Sequence, residues 1–288
     1  KTENGAGVVF AIDGKNFTAD DLYDEYYKAG GADAAYMLMQ RIVLDAYVET
    51  TDDLKKEAED LAADYEAYFQ NQYGVNAQEY LEYNLKAMGL DTLYDYCLYN
   101  IKLENMISEY LKENAETLYP AFAEAYKPRF VSHVLVKMDN PDAPTAEETK
   151  RFEEVKEAWE NRGDMDFGTF AQTYSDDTGS AIQQGSIGYT DINSSLVETF
   201  HEAALALEEG EVSEWIKSEY GYHLITVTST KMEDVMNDVS FLESYLTFDS
   251  SFESNLMWTK LQEKNVSFAD PELEASIKSA LGIEEAAE

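Results

Sequence analysis

The sequence predicts an α+β protein, with a sheet-bearing module of about 100 residues set into a chain that is otherwise mostly helical. Three observations carry this reading. Before residue 127 the apolar residues recur at helical spacing and are punctuated by capping residues. From 128 to 230 two apolar runs with strand character appear, "FVSHVLVKM" and "YGYHLITV". After 231 the helical grammar returns. The expected organisation is therefore 1–127 helical, 128–230 mixed, and 231–288 completing the helical part.

Taken in order, "VVFAIDGKNFT" reads as an opening strand that turns at Asp13-Gly14, after which Thr18 and Asp21 cap a helix. Helices follow at 33–49, 52–72, 77–88 and 92–113, with Asn76 and Glu79 as a second capping pair and Gly74 and Gly89 as stops. Tyr65, Tyr68, Phe69, Tyr80, Tyr83 and Tyr94 recur at helical spacing and read as core. In the middle region, strand "FVSHVLVKM" leads into a loop, and Thr145 with Glu148 then caps a helix whose Phe152, Val155 and Trp159 share a face. A short helix "DFGTFAQTY" follows, then the long polar loop "SDDTGSAIQQGSIGYTD". Ser195 and Glu198 open a further helix that stops at Gly210, and two closing strands meet at a turn through Glu219, Tyr220 and Gly221. The order is β-α-α-β-α-β-β. Residues 233–281 are helical, with a last helix starting at Asp270-Pro271-Glu272. They have too little core to stand alone, so they are expected to pack back on the first region, with the tail "EEAAE" frayed.

Composition narrows the function. The formal charge of −37 excludes a nucleic-acid partner, because a polyanion is repelled instead of gaining by counterion release. It also disfavours an anionic lipid surface and favours basic partners. The single cysteine, Cys97, excludes an intrachain disulfide and a cysteine-rich metal site, and "LYDYCLYN" reads as a buried setting for it. The run "AAYMLMQRIVLDAYV" is broken by Arg41 and Asp45, so no transmembrane span is expected. The chain begins at Lys1 without methionine, as removal of a signal peptide would leave it and as any other truncation would too.

Only three histidines occur, and two of them, His133 and His223, sit at matching points of apolar strands. His201 lies in a helix and does not share the pattern. Five blocks in order, "SHVLVK", "FGTFAQTYSDDTGSA", "GSIGY", "LVETFHEAALALEEGEVSEWI" and "YGYHLITV", resemble the parvulin-type peptidyl-prolyl isomerases over about residues 129–229. The flanking segments "VVFAIDGKNFTADDLYDEY" and "KLQEKNVSFADPELEASI" resemble the chaperone part of PrsA-type extracellular foldases, and more loosely SurA-type chaperones.

The resemblance implies a small antiparallel sheet with His133 and His223 side by side at its centre and Asp177 next to them as the catalytic set. Leu196 and Phe200 become the floor of a proline pocket with Ile187 as a further wall, and Ser132 and Ser218 supply hydroxyls. It implies an extracytoplasmic protein, secreted or held at the cell surface by an N-terminal lipid outside this chain. Its partners would be unfolded or partly folded polypeptides with X-Pro bonds, and the chain is left open between monomer and homodimer.

Rotation about an X-Pro amide breaks no bond, so no nucleophile, cofactor or metal is implied. Two histidines and an aspartate can also ligate zinc, but no HExxH-like spacing is present, and "GSIG" lacks the nucleophile elbow of a serine hydrolase. Gly185-Ser186-Ile187-Gly188 stands where the family often has Gly-Asp-Leu-Gly. The acidic stretch after Lys137 argues against recognition of phosphoserine-proline. The competing reading is a holdase that binds clients with little or no isomerase activity.

Overall fold

The computed structural model describes residues 5–12, 15–26 and 30–283. The predicted turn at Asp13-Gly14 and the tail "EEAAE" lie outside them. The chain divides into two compact units, one of residues 1–113 with 249–288 and the other of 114–248.

The first unit opens with a hairpin of β1 (Val8–Ile12) and β2 (Lys15–Thr18). Helix α1 (Ala19–Tyr26) starts from the predicted cap, where the Thr18 N–H donates to Asp21 and the Asp21 N–H to Thr18 Oγ1. Then come α2 (Ala32–Tyr47), α3 (Asp52–Tyr73), α4 (Ala77–Ala87) and α5 (Leu93–Glu113). Cys97 is fully buried between Ala58 and Ile101, and burial raises its thiol pKa, as suits a packing residue. Asn76 does not cap α4. A short 3₁₀ turn, Gly74–Asn76, precedes the helix and holds Asn76 in helical backbone geometry, with no side-chain bond to the helix. The tyrosine stripe also departs from expectation. Tyr65, Tyr68, Tyr80 and Tyr83 are exposed, Tyr83 to 76%. Helical periodicity identifies a shared face but not what covers it.

The second unit begins with α6 (Ala115–Tyr126), a helix absent from the sequence reading because Pro120 interrupts its pattern. Strand β3 (Arg129–Lys137) follows, then α7 (Ala146–Glu160), α8 (Phe167–Tyr174) and the single turn α9 (Thr178–Ala181). Next are β4 (Ser186–Thr190), α10 (Glu198–Ala206), β5 (Ile216–Ser218) and β6 (Gly221–Ser229). The stretch read as a long polar loop thus holds a helical turn and a strand. The sheet is antiparallel throughout, in the order β4-β3-β6-β5. On one face Val134, Val136 and Leu224 pack under α7 and α8 through Val155 and Phe170. On the other, Val131 and Ile225 pack under α10 through Phe200 and Ala204. The Thr145–Glu148 capping box is present, but α10 starts at Glu198 with no side-chain cap. Ser195 stays in non-helical backbone, which leaves Leu196 and Val197 free to pack on the sheet. The unit ends with α11 (Met232–Met236) and α12 (Ser240–Phe248), where Phe241, Tyr245 and Phe248 surround Phe122 of α6.

Returning to the first unit, α13 (Phe252–Glu263) and α14 (Pro271–Ala280) both pack on α2. Asp270 caps α14 by accepting from the Glu272 and Leu273 N–H groups. No described helix is long and apolar enough to cross a membrane.

Two glycines are required by the sheet. A Cβ on Gly185 would stand 2.4 Å from the His133 carbonyl oxygen, and one on Gly221 would stand 2.1 Å from that of Val136. Both have positive φ, +78° and +137°. Gly188 is equally left-handed at +80° but open to space. Gly185→Ala is therefore expected to lower stability by at least ~2–3 kcal/mol, against ~1 kcal/mol for Gly188→Ala. Thermal unfolding of the two variants side by side checks this, and equal shifts would refute the close-approach argument.

Candidate functional site

The site grows from strand alternation. Residues 131, 133 and 135 of β3 and 223, 225 and 227 of β6 point to the face under α10, and register pairs His133 with Ile225 and Leu135 with His223. The two imidazoles are thus diagonal neighbours, stacked with centroids 5.5 Å apart and 15° between planes. Their Nδ1 atoms are 3.2 Å apart. Both residues are buried, His133 7% and His223 5% exposed.

The segment after α8 delivers Asp177. Past the end of its pairing with β4, β3 is bonded instead by residues 175–176. The Leu135 N–H donates to Ser175 Oγ, the Lys137 N–H to Asp176, and the Asp176 N–H to the Leu135 carbonyl. Asp177 then caps α9 by accepting from the Gly179 N–H. Its Oδ2 lies 2.8 Å from His133 Nε2 and 2.6 Å from Ser180 Oγ. Ser180 was not singled out in the sequence. The signal for it is its place three residues after a capping aspartate, one helical turn away.

The donors and acceptors run in one direction. Ionised Asp177 only accepts, so His133 Nε2 carries the proton and its Nδ1 accepts from His223 Nδ1–H. His223 Nε2 then accepts from the Ser218 hydroxyl at 2.6 Å, and Ser218 Oγ itself accepts from the Tyr220 N–H. Burial lowers the pKa of both histidines, that of His223 to about 4, which keeps both rings neutral. Burial alone would raise that of Asp177, but the hydrogen bonds from Ser180, His133 and the Gly179 N–H outweigh it and lower it. The result is one negative charge at the end of a neutral chain. The ring nitrogens of His133 point at different neighbours, so the three side chains bond to one another instead of converging on a common centre.

The apolar part lies against the same rings. Phe200, 4% exposed, meets His133 and His223 edge-on at 5.4 and 5.2 Å. Ile187 and Leu196, each half-buried, pack into the same cluster. Ser132 is separate. It shares the opposite face with Val134 and Val136, pointing away from the histidines. His201 has a local task, with Nε2–H donating to the Asp191 carbonyl at 2.7 Å.

A four-stranded antiparallel sheet carrying paired central histidines beneath an apolar helix defines a peptidyl-prolyl cis-trans isomerase of the parvulin class, and residues 133–229 match the rotamase family of PPIC-type PPIase domains. Beyond this module, the chain is 29% identical over 243 residues to the foldase protein PrsA of Geobacillus kaustophilus, covering 83% of this chain and 76% of that protein. It is 33% identical over 222 residues to foldase protein PrsA 3 of Bacillus anthracis, covering 75% and 67%. The crystal structure of PrsA from Bacillus subtilis aligns over 94% of this chain and 98% of that one, at 23% identity and a TM-score of 0.43. The chain belongs to the PrsA foldase family. It is a foldase with prolyl isomerase activity, and its clients are polypeptides.

The depressed histidine pKa values have a sign that can be measured. Unfolded imidazole takes up its proton as pH falls through 6.5, whereas folded His223 resists down to about 4. The unfolded chain therefore binds more protons between those values, so stability is full above pH 6.5 and falls as pH drops through the window. His223→Asn is expected to reduce that slope by up to one proton, about 1.4 kcal/mol per pH unit. Thermal unfolding from pH 4 to 7.5 checks it, and an unchanged slope contradicts the assignment.

Proposed function

We propose that residues 128–230 form an isomerase module inserted in a helical chaperone domain made of 1–127 and 231–288, and that the module catalyses prolyl rotation without covalent chemistry. The observation that carries the catalytic reading is the directed chain from Ser218 through His223 and His133 to ionised Asp177, lying directly against Phe200. Ile187, Leu196 and Phe200 receive the proline ring and keep water from the amide. Planar amide resonance places negative charge on the carbonyl oxygen and opposes rotation with a barrier of about 18–20 kcal/mol. Twisting the bond returns that charge to nitrogen. A fixed carboxylate near the carbonyl disfavours the planar form more than the twisted one, so Asp177 supplies differential stabilisation. A thousandfold acceleration needs only about 4 kcal/mol. The neutral histidines hold the carboxylate in place and transmit its field. Ser180 shares that positioning task, and Ser218 fixes the far tautomer.

The surroundings that suit such a protein are extracytoplasmic, with secreted polypeptides as clients and a lipid as its anchor. A homodimer is compatible with this role. A holdase contribution draws support from the exposed tyrosines of α3 and α4, a surface suited to unfolded chains and unnecessary for rotation.

Asp177→Asn keeps the shape and removes the charge, so kcat/KM on an unphosphorylated Xaa-Pro tetrapeptide is expected to fall at least about tenfold, near 1.4 kcal/mol. Phe200→Ala is expected to lose at least as much, and because a cavity there costs about 3–5 kcal/mol, its fold must be verified by circular dichroism. Wild-type rates in both folded variants would remove these residues from the mechanism.

Produced alone, residues 128–230 are expected to unfold cooperatively and to retain isomerase activity. A fragment that neither folds nor turns over would refute the modular reading.

A further inference from the structure

The exposed aromatic face of the first unit has its own geometry. Tyr73 and Tyr80 stack with centroids 4.5 Å apart and 14° between planes, and Phe69 lies 5.8 Å from each. Tyr65 meets Tyr96 edge-on at 6.2 Å. Between α3, α4 and α5, Tyr65, Phe69, Tyr80 and Tyr96 line a cavity of about 270 Å³ together with Leu85 and Met88. Tyr65, Tyr73 and Tyr80 are each about two-fifths exposed, and Val75 and Tyr83 beside them are 98% and 76% exposed. So much aromatic surface left in water is costly unless something covers it.

The charge around this groove restricts what that can be. On the flanking helices Glu66, Glu79 and Glu82 are exposed beside the ring-bearing positions, and α4 carries one cation, Lys86. That lysine already sits 3.8 Å from Glu82. Glu66 and Phe69 are three residues apart on α3, as are Glu79 and Glu82 on α4, so carboxylates flank the aromatic rows. Tyrosine faces attract cations through their quadrupole, and the carboxylates add to that attraction. An acidic segment would be repelled by these carboxylates.

Resting on the holdase reading above, we propose that this groove, separate from the prolyl pocket, selects extended, unfolded segments in which Lys or Arg stands next to bulky apolar residues. The apolar side chains enter the cavity while the cations lie over the tyrosine faces and the rim carboxylates. Proline plays no part in this recognition.

The test uses the full chain and labelled, proline-free peptides, with binding read by fluorescence anisotropy. One peptide alternates Lys and Arg with Leu and Phe, and a second carries Glu and Asp in place of the cations. The cationic peptide is expected to bind at least tenfold more tightly at low salt, and the gap should narrow as salt rises. Tyr65→Ala with Tyr80→Ala should weaken it at least tenfold while tetrapeptide isomerisation stays unchanged. Glu66→Lys with Glu79→Lys should erase the preference for the cationic peptide, and Tyr80→Phe, which keeps the ring, should bind as the parent does. If the double tyrosine variant does not fold, the Glu66→Lys/Glu79→Lys pair decides. Equal binding of the two peptides overturns the proposal, as does full binding by a folded double tyrosine variant. Loss of binding in Phe200→Ala with the groove variants unaffected would assign the peptide to the prolyl pocket and also overturn it.

Discussion

The second unit depends on one constraint: two imidazoles buried at the centre of a sheet must each satisfy both ring nitrogens. An unpaired polar group at that depth costs about 1–3 kcal/mol. Nδ1 against Nδ1 can be satisfied only if one ring donates and the other accepts, which forces opposite tautomers on His133 and His223. Each ring then needs a partner of the complementary kind at its far nitrogen. Asp177 accepts on one side and Ser218 donates on the other. The carboxylate's ionisation therefore sets the direction of the whole chain, because only the ionised form is unable to donate.

Much of the surrounding architecture reads as a means of holding these ends. The strand β4 is short, and its pairing with β3 stops at Ser132, which frees the next edge of β3 for residues 175–176 and so places Asp177 at His133. Gly185 lets the chain press against the His133 backbone, and its own carbonyl accepts the His133 N–H at 2.8 Å. At the other end, Gly221 lets β6 begin against the Val136 carbonyl of β3, beside the β5–β6 turn from which Ser218 reaches His223. The late start of α10 follows the same logic. A helix beginning at Ser195 would have satisfied its own amides, but the extended segment instead lays Leu196 beside Phe200.

What could be read from the sequence divides along physical lines. Helices α3, α4 and α5 declare themselves through period and stop signals, because each has one side turned to water. α6 did not, since Pro120 breaks the pattern while packing of Phe122 against Phe241, Tyr245 and Phe248 sustains the helix. Capping signatures succeeded at Thr18 and Thr145, and failed at Asn76 and Ser195, where preceding backbone or nearby packing dictated the geometry. In the site, His133 and His223 stand out because titratable residues are rare in apolar strands, and block resemblance pointed to Asp177. Ser132 falls on the opposite face from the histidines because neighbours along a strand alternate, whereas the role of Ser180 arises from a one-turn helix inside a polar stretch.

Aromatic residues serve two opposed demands in this chain. In the proposed mechanism rotation of an amide requires a dry, fixed wall, and Phe200 suits that by being 4% exposed and held against two rings. The proposed capture of unfolded segments requires apolar surface that is open before the client arrives, and Tyr83, 76% exposed, suits that instead. The second arrangement invites self-association, since exposed rings on one copy can serve as clients for another. A formal charge of −37 counters this, because two such chains repel over roughly a Debye length while a basic segment is drawn in. The acidity that repels a polyanion thus also counters self-association through the aromatic surface, and it biases that surface toward partners of opposite sign.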